Sequence, residues 1–195
     1  MQTLRHLRHL VQWNLRGRPA PPPHYAKQLV IKYYQRRFGP RVFVETGTYL
    51  GEMVEAVKSR FDEVYSIELS PELCERAREK FAADAHVHIV EGDSGEVMPS
   101  ILEKIEGPAL FWLDGHFSGG ITAQGPLDYP VLKELEHIRR HAVKNHVILV
   151  DDARLFLGTP NAPAKEQVVQ SIKAVNPAYT VEERDDIIRA YVTEK

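Results

Sequence analysis

Three aspartates close two short apolar runs, Phe111-Trp112-Leu113-Asp114 and Ile148-Leu149-Val150-Asp151-Asp152. If these runs are neighbouring strands, the carboxylates of Asp114, Asp151 and Asp152 converge. Without basic partners three such groups repel one another unless a hard cation joins them, and Mg²⁺ is commonly held by a few carboxylates plus water and substrate. The other reading is that Asp152 caps the segment after it and Asp114 faces a ligand alone. His116, two residues past Asp114, offers an imidazole suited to taking a proton from a hydroxyl, or to a structural hydrogen bond in a loop.

A second group of residues could hold a ligand. Glu45-Thr46-Gly47-Thr48-Tyr49-Leu50-Gly51 follows a β-branched run, and glycines at such a turn let backbone approach a ligand closely while the next helix N-terminus favours an anionic group. Glu68 lies 21 residues beyond Gly47, where a carboxylate accepts hydrogen bonds from a ribose diol in dinucleotide sites. Glu91-Gly92-Asp93-Ser94 ends the following run, placing polar groups beside a base stacked over the strand before it.

The elements that must position these residues alternate regularly. After Gly39-Pro40, short β-branched runs alternate with stretches of helical periodicity, the pattern of parallel strands with crossover helices. Strands are expected at 42–45, 63–68, 87–90, 109–113 and 146–150. Leu50, Met53, Val54 and Val57 form the inward stripe of the first crossover helix; Ser70-Pro71 opens the second. Runs at 179–183 and 187–192 stand too close for a parallel crossover and predict an antiparallel hairpin at the sheet edge. The fold class is therefore α/β: a Rossmann-like, seven-stranded, mostly parallel sheet with helices on both faces. Residues 1–40 form an N-terminal helical segment, with helices at 4–15 and 24–38 separated by a Pro-rich break, and residues 41–195 form the domain.

Composition narrows the class further. The 195 residues are 43% hydrophobic and 27% charged, a profile that excludes collagen-like, disordered and disulfide-scaffold proteins. No apolar run approaches the ~18 residues of a membrane span, so a soluble, cytoplasmic enzyme is expected. Cys74 reads as structural. His137 and His141 have the spacing of a zinc helix, but Arg139-Arg140 lie between them, which reads as a solvated helix face. The formal net charge of −2 hides nine Lys or Arg and no acidic residue in the first 44 positions. A basic segment packed on an acidic body is the first explanation; docking on nucleic acid or a membrane surface is the second. Leu4, Leu7, Val11 and Leu15 share one helical face that needs a cover, either the chain's own domain or a second subunit of a homodimer.

Glu45, then glycines two and six positions later, together with the terminal hairpin, resembles the class I S-adenosylmethionine-dependent methyltransferases over about residues 41–195. The GxGxxG spacing of nicotinamide enzymes is absent, which argues against the oxidoreductase alternative. The resemblance implies that Glu45 and Gly47, with Thr48 and Gly51 in the same loop, hold the methionine part of the cofactor. It further implies that Glu68 holds the ribose hydroxyls and Asp93 with Ser94 the adenine, and that Asp114 contacts the cofactor. Asp114 followed by Asp151-Asp152 resembles the metal site of cation-dependent O-methyltransferases, which implies these three as Mg²⁺ ligands; His116, near the expected transfer point, and Asp114 are the expected catalytic residues. The implied reaction is methylation of a hydroxyl on a small-molecule acceptor, in a pocket drawn from 25–38 and 118–129. A metal-independent methyltransferase with another acceptor, or a non-catalytic binding protein with a basic docking arm, are the alternatives.

Overall fold

The computed structural model describes residues 2–115 and 129–193. The first five strands are β1 (Val42–Thr46), β2 (Glu63–Glu68), β3 (Val87–Glu91), β4 (Ala109–Leu113) and β5 (Val147–Val150). A small separate ribbon, β6 (Leu157–Thr159) and β7 (Ala162–Ala164), precedes β8 (Thr180–Arg184) and β9 (Ile187–Tyr191). Among the described residues, seven strands form one sheet in the order β3-β2-β1-β4-β5-β9-β8. Strands β1 to β5 run parallel, and β9 is antiparallel to both β5 and β8. Asp185 and Asp186 both take positive φ, 53° and 62°, at the two-residue turn of the last hairpin, where the twist of the strands favours such a turn.

Alternation along the strands fills two cores. Val44, Phe111, Leu113, Ile148 and Val150 face one side, covered by α5 (Ser94–Leu102), α6 (Val131–Arg140) and α7 (Lys165–Val175). Phe43, Leu110, Trp112 and Leu149 face the other, covered by α2 (His24–Phe38), α3 (Glu52–Val57) and α4 (Pro71–Lys80). Helix α2 contributes Ile31 and Tyr34 to this second core. It stops where Gly39 turns left-handed at φ 66° and returns its N–H to the Gln35 carbonyl. Ser70 caps α4 through the Leu73 N–H, with Pro71 at the first helical position.

Four local expectations need correction. Leu50 is 45% exposed rather than inward, because Gly51 is the N-cap of α3 and the helix begins one residue later. The ribbon β6–β7 has no counterpart in the sequence reading; its three-residue strands, Leu-Gly-Thr and Ala-Pro-Ala, are too short to display alternation. His137 and His141 are half-buried rather than on a fully solvated face: His137 Nε2 bonds the Gly95 carbonyl at 2.8 Å, and His141 stacks on His146 and reaches the Ile105 carbonyl. Helix α1 (Gln2–Leu15) turns Leu4 (74% exposed) and Leu15 (83%) outward with Leu7 and Val11. Trp13 on the opposite face is buried instead, its Nε1 donating to the Pro19 carbonyl at 2.8 Å, because one indole brings a large apolar area and a donor that needs a partner. Cys74 is buried and free, as a structural residue should be.

Candidate functional site

Strand order reverses between β1 and β4, and in open α/β sheets the crevice at such a point, beyond the carboxyl ends of the strands, is where ligands sit. Gly47 leaves β1 with φ 88°, and a Cβ built on it would lie 2.7 Å from the Asp114 carbonyl oxygen. The turn therefore touches the end of β4 and only glycine fits. Thr46 adds a second tie: its Oγ1 accepts from the Asp114 N–H at 3.1 Å. Tyr49 itself takes φ 49°, so a non-glycine residue adopts the left-handed turn.

Behind this turn the polar groups form a chain. Ser66 Oγ donates to Glu45 Oε2 at 2.6 Å and shares a 2.6 Å hydrogen bond with Thr48 Oγ1. Burial, reinforced by the Asp114 and Glu68 charges, pushes the Glu45 carboxyl up to about 8 despite the Ser66 hydrogen bond. Glu68 Oε2 accepts the Tyr49 N–H at 2.8 Å and Glu68 Oε1 the Ser70 N–H at 2.9 Å. Each oxygen retains a second lone pair.

The three aspartates do converge: Asp114, Asp151 and Asp152 each offer an oxygen within 4.8 Å of the others. They are not without basic partners, however. Lys27 of α2 places Nζ against Asp151 Oδ2 and 3.2 Å from Asp152 Oδ1, and Arg154 Nη1 reaches the same Asp152 oxygen at 2.8 Å. Burial works against the Lys27 charge, but the attraction of Asp151, Asp114 and Asp152 outweighs it and holds the ammonium above the usual lysine range. Burial likewise raises Asp152, and Lys27 with Arg154 outweighs that to leave it below the usual carboxylate range. Asp152 makes no side-chain cap to the short turn at Ala153–Leu155, which removes the capping alternative.

Similar architectures recur among solved structures. A Bacillus cereus O-methyltransferase in complex with SAH is 16% identical, with TM-score 0.66 over 96% of this chain and 90% of that one. A SAH-bound Podospora anserina methyltransferase is 18% identical, with TM-score 0.60 over 97% and 88%. The fold is that of the class I methyltransferases. The acceptor is not fixed by this fold, since the N-methyltransferase NodS from Bradyrhizobium japonicum reaches TM-score 0.58 at 12% identity over 87% of this chain and 96% of that one. No protein-family profile matches the chain, and no curated protein matches its sequence.

Within this methyltransferase fold Glu45, Gly47, Thr48, Glu68 and Asp114 gather at the switch point. Gly51 stands further along, where a Cβ would strike the Phe81 ring at 2.8 Å. Asp93 caps α5 by accepting the Gly95 N–H at 2.8 Å, and the Ser94 hydroxyl donates to Glu134. Both side chains therefore have structural partners beside any adenine role. His116 and the stretch from Ser118 to Asp128 lie outside the described residues.

Two acidic or basic groups of the site escape the sequence reading. Glu134 is buried on α6 and lines the same small crevice as Asp114, Tyr129, Asp151 and Asp152. Burial raises its carboxyl to about 7, against the hydrogen bonds from Ser94 and Thr46. Its signal was available: Glu134 falls on the inward stripe of Val131, Leu135 and Ile138. Lys27 had only a faint one, its place in the 25–38 segment expected to line the acceptor pocket.

The aspartates are hard oxygen donors of the type Mg²⁺ takes. At least three of the oxygens of Asp151 and Asp152 already accept, though: Asp151 Oδ1 takes the Asp152 N–H at 2.8 Å, Asp151 Oδ2 takes Lys27, and Asp152 Oδ1 takes Lys27 and Arg154. A divalent ion bridging the pair would stand against the ammonium, so the residues as arranged do not fit it.

Proposed function

We propose that the protein is an S-adenosylmethionine-dependent methyltransferase acting on a hydroxyl of a small molecule in the cytoplasm. The observation that carries this reading is the gathering of Glu45, Glu68 and Asp114 around the Gly47 turn at the switch point of a methyltransferase fold. Glu45 and Asp114 sense one another's charge closely enough to shift the Glu45 carboxyl. Glu68 and Asp114 keep the site negative, which suits a cofactor with a sulfonium and an ammonium group. Glu68 supplies the lone pairs for the ribose hydroxyls.

In the reaction the acceptor oxygen attacks the methyl carbon in line, the carbon–sulfur bond breaks with its electron pair going to sulfur, and SAH leaves. The hydroxyl proton must go to a base, and His116, next but one to Asp114, is the candidate. Alignment supplies much of the rate in such a displacement. Support for an oxygen acceptor comes from the Asp-Gly-His-Phe sequence at the β4 end, where base-amine enzymes carry an Asn-Pro-Pro-Tyr type of motif. Magnesium assistance, expected from three converging carboxylates, is set aside because Lys27 holds two of them.

Calorimetric titration with S-adenosylmethionine, SAH and NAD, with and without Mg²⁺, tests the reading. Binding of the first two and not of NAD is expected. A chain that ignores S-adenosylmethionine, or prefers NAD, overturns it.

A further inference from the structure

Lys27 reaches the cluster from outside the sheet. It is one turn into α2, 124 residues before Asp151, and the helix that carries it is locked by Ala26, Gln28, Ile31 and Tyr34, all buried. The Lys27 side chain is only 12% exposed, and those of Asp151 and Asp152 are 0% and 11% exposed. A buried carboxylate pair needs a counter-charge, since removing one partner of a buried ion pair strands the other in low dielectric. The alternation of β4 and β5 is consistent with this delivery: Trp112 and Leu149 face the α2 side, and Asp114 and Asp151 follow two residues later on the same phase.

We infer that Lys27 is the resident cation of this site, standing where a divalent ion would bridge Asp151 and Asp152, so that the cluster excludes metal and the protein works without one. This rests on the methyltransferase reading only for what the site does, not for which cation fills it. A divalent ion seated between the two carboxylates and an ammonium touching both are mutually exclusive, because they would claim the same oxygens and repel at a separation of a few ångströms. Arg154 strengthens the exclusion by placing a second positive group on Asp152 while also pairing with Asp186 of the terminal hairpin. An ammonium on a fixed helix also has the property a catalytic cation requires: it is in place before substrate arrives. Lys27 thereby becomes a positioning residue for the carboxylates. Lys27 also lines a cavity of about 230 Å³ with Trp13, Ala26 and Val30.

The test uses the full chain as wild type, Lys27→Met, Lys27→Gln, and the double variant Lys27→Met with Asp151→Asn. Mn²⁺ binding is followed by electron paramagnetic resonance, and thermal unfolding is followed with and without millimolar Mg²⁺, Mn²⁺ or Ca²⁺. Wild type should bind no Mn²⁺ and show no metal-dependent shift. Lys27→Met and Lys27→Gln should bind Mn²⁺ at concentrations at least tenfold below the millimolar level at which wild type binds none, and melt higher in its presence. The double variant should lose that gain.

Mn²⁺ bound at the aspartates of the wild type at millimolar or lower concentration overturns the inference, whatever the variants do. A folded Lys27→Met or Lys27→Gln protein that stays indifferent to all three ions overturns it as well. SAH titration of the same wild-type sample keeps the two ideas apart: loss of SAH binding refutes the methyltransferase reading and leaves the metal result standing.

Discussion

The backbone N–H of Tyr49 donates to Glu68 Oε2 at 2.8 Å, across the top of β1 and β2. Tyr49, a non-glycine residue in the left-handed turn, is thus held there by the carboxylate expected to hold the ribose. Glu68 fixes the turn from one lone pair and can serve a ligand from the other.

Glu68→Ala should therefore fail twice. Loss of the acceptor strands the buried Ser70 N–H and the Tyr49 N–H, at about 1–3 kcal/mol for each donor left fully unpaired. Loss of the ribose contact should cost about tenfold or more in SAH affinity. Glu68→Gln keeps one oxygen and should recover most of the stability while affinity stays low. Chemical denaturation and calorimetry on both variants separate the two roles. Equal SAH affinity in all three proteins would remove Glu68 from the cofactor site.

Gly47→Ala should be severe, because strain at φ 88° adds to a 2.7 Å approach to the Asp114 carbonyl. Backbone strain alone is worth roughly 1–3 kcal/mol. A lowered melting temperature together with weakened SAH binding is expected, since relief of the clash moves the ends of β1 and β4 apart. Gly107→Ala is the control, as a Cβ there meets nothing within 4 Å.

Glu134 and Glu45 hold protons more tightly in the folded chain, near 7 and 8, than the ordinary value of 4.5. The folded state is then the more protonated one between those limits, so stability present below pH 4.5 is lost as pH rises through 7 and 8. Glu134→Gln, which mimics the protonated form, should melt above wild type at about pH 8.5 and show little difference at about pH 5. A variant destabilised equally at both would show that Glu134 acts through its shape and hydrogen bonds instead.

His116→Ala should slow methyl transfer by about 10²–10⁴-fold with SAH affinity nearly intact, the pattern of a lost general base. Single-turnover rates and SAH titration measure the two quantities. Loss of SAH binding would make the residue structural.

Most of the scaffold was readable because it is written locally. Val42, Val64, Leu110 and Ile148 belong to runs whose alternation and spacing leave few alternatives, and Gly47 declared its turn. Gly39 and Ser70 marked helix ends through chemistry that acts within four residues. Lys27 was not readable, because its partners stand 124 residues away at the end of a strand that must first join the sheet. Glu134 was readable in principle, as a carboxylate out of place on an apolar stripe. Helix α1 misled for a different reason: four aliphatics, Leu4 to Leu15, outnumber Trp13, yet the indole side is the one that packs.

The 124-residue separation between Lys27 and Asp151 also sets an order on biosynthesis. Helix α2 leaves the ribosome early, while Asp151 and Asp152 arrive when three-quarters of the chain has been made. Until then α2 has its apolar side but not its ionic partners, and a nascent chain that ends before β5 offers Lys27 no aspartate pair to close on. Contacts this distant in sequence form late and slowly. The final seating of α2 on the sheet thus waits for β5, and a chain stalled before β5 presents an unfinished site to the cell's quality control.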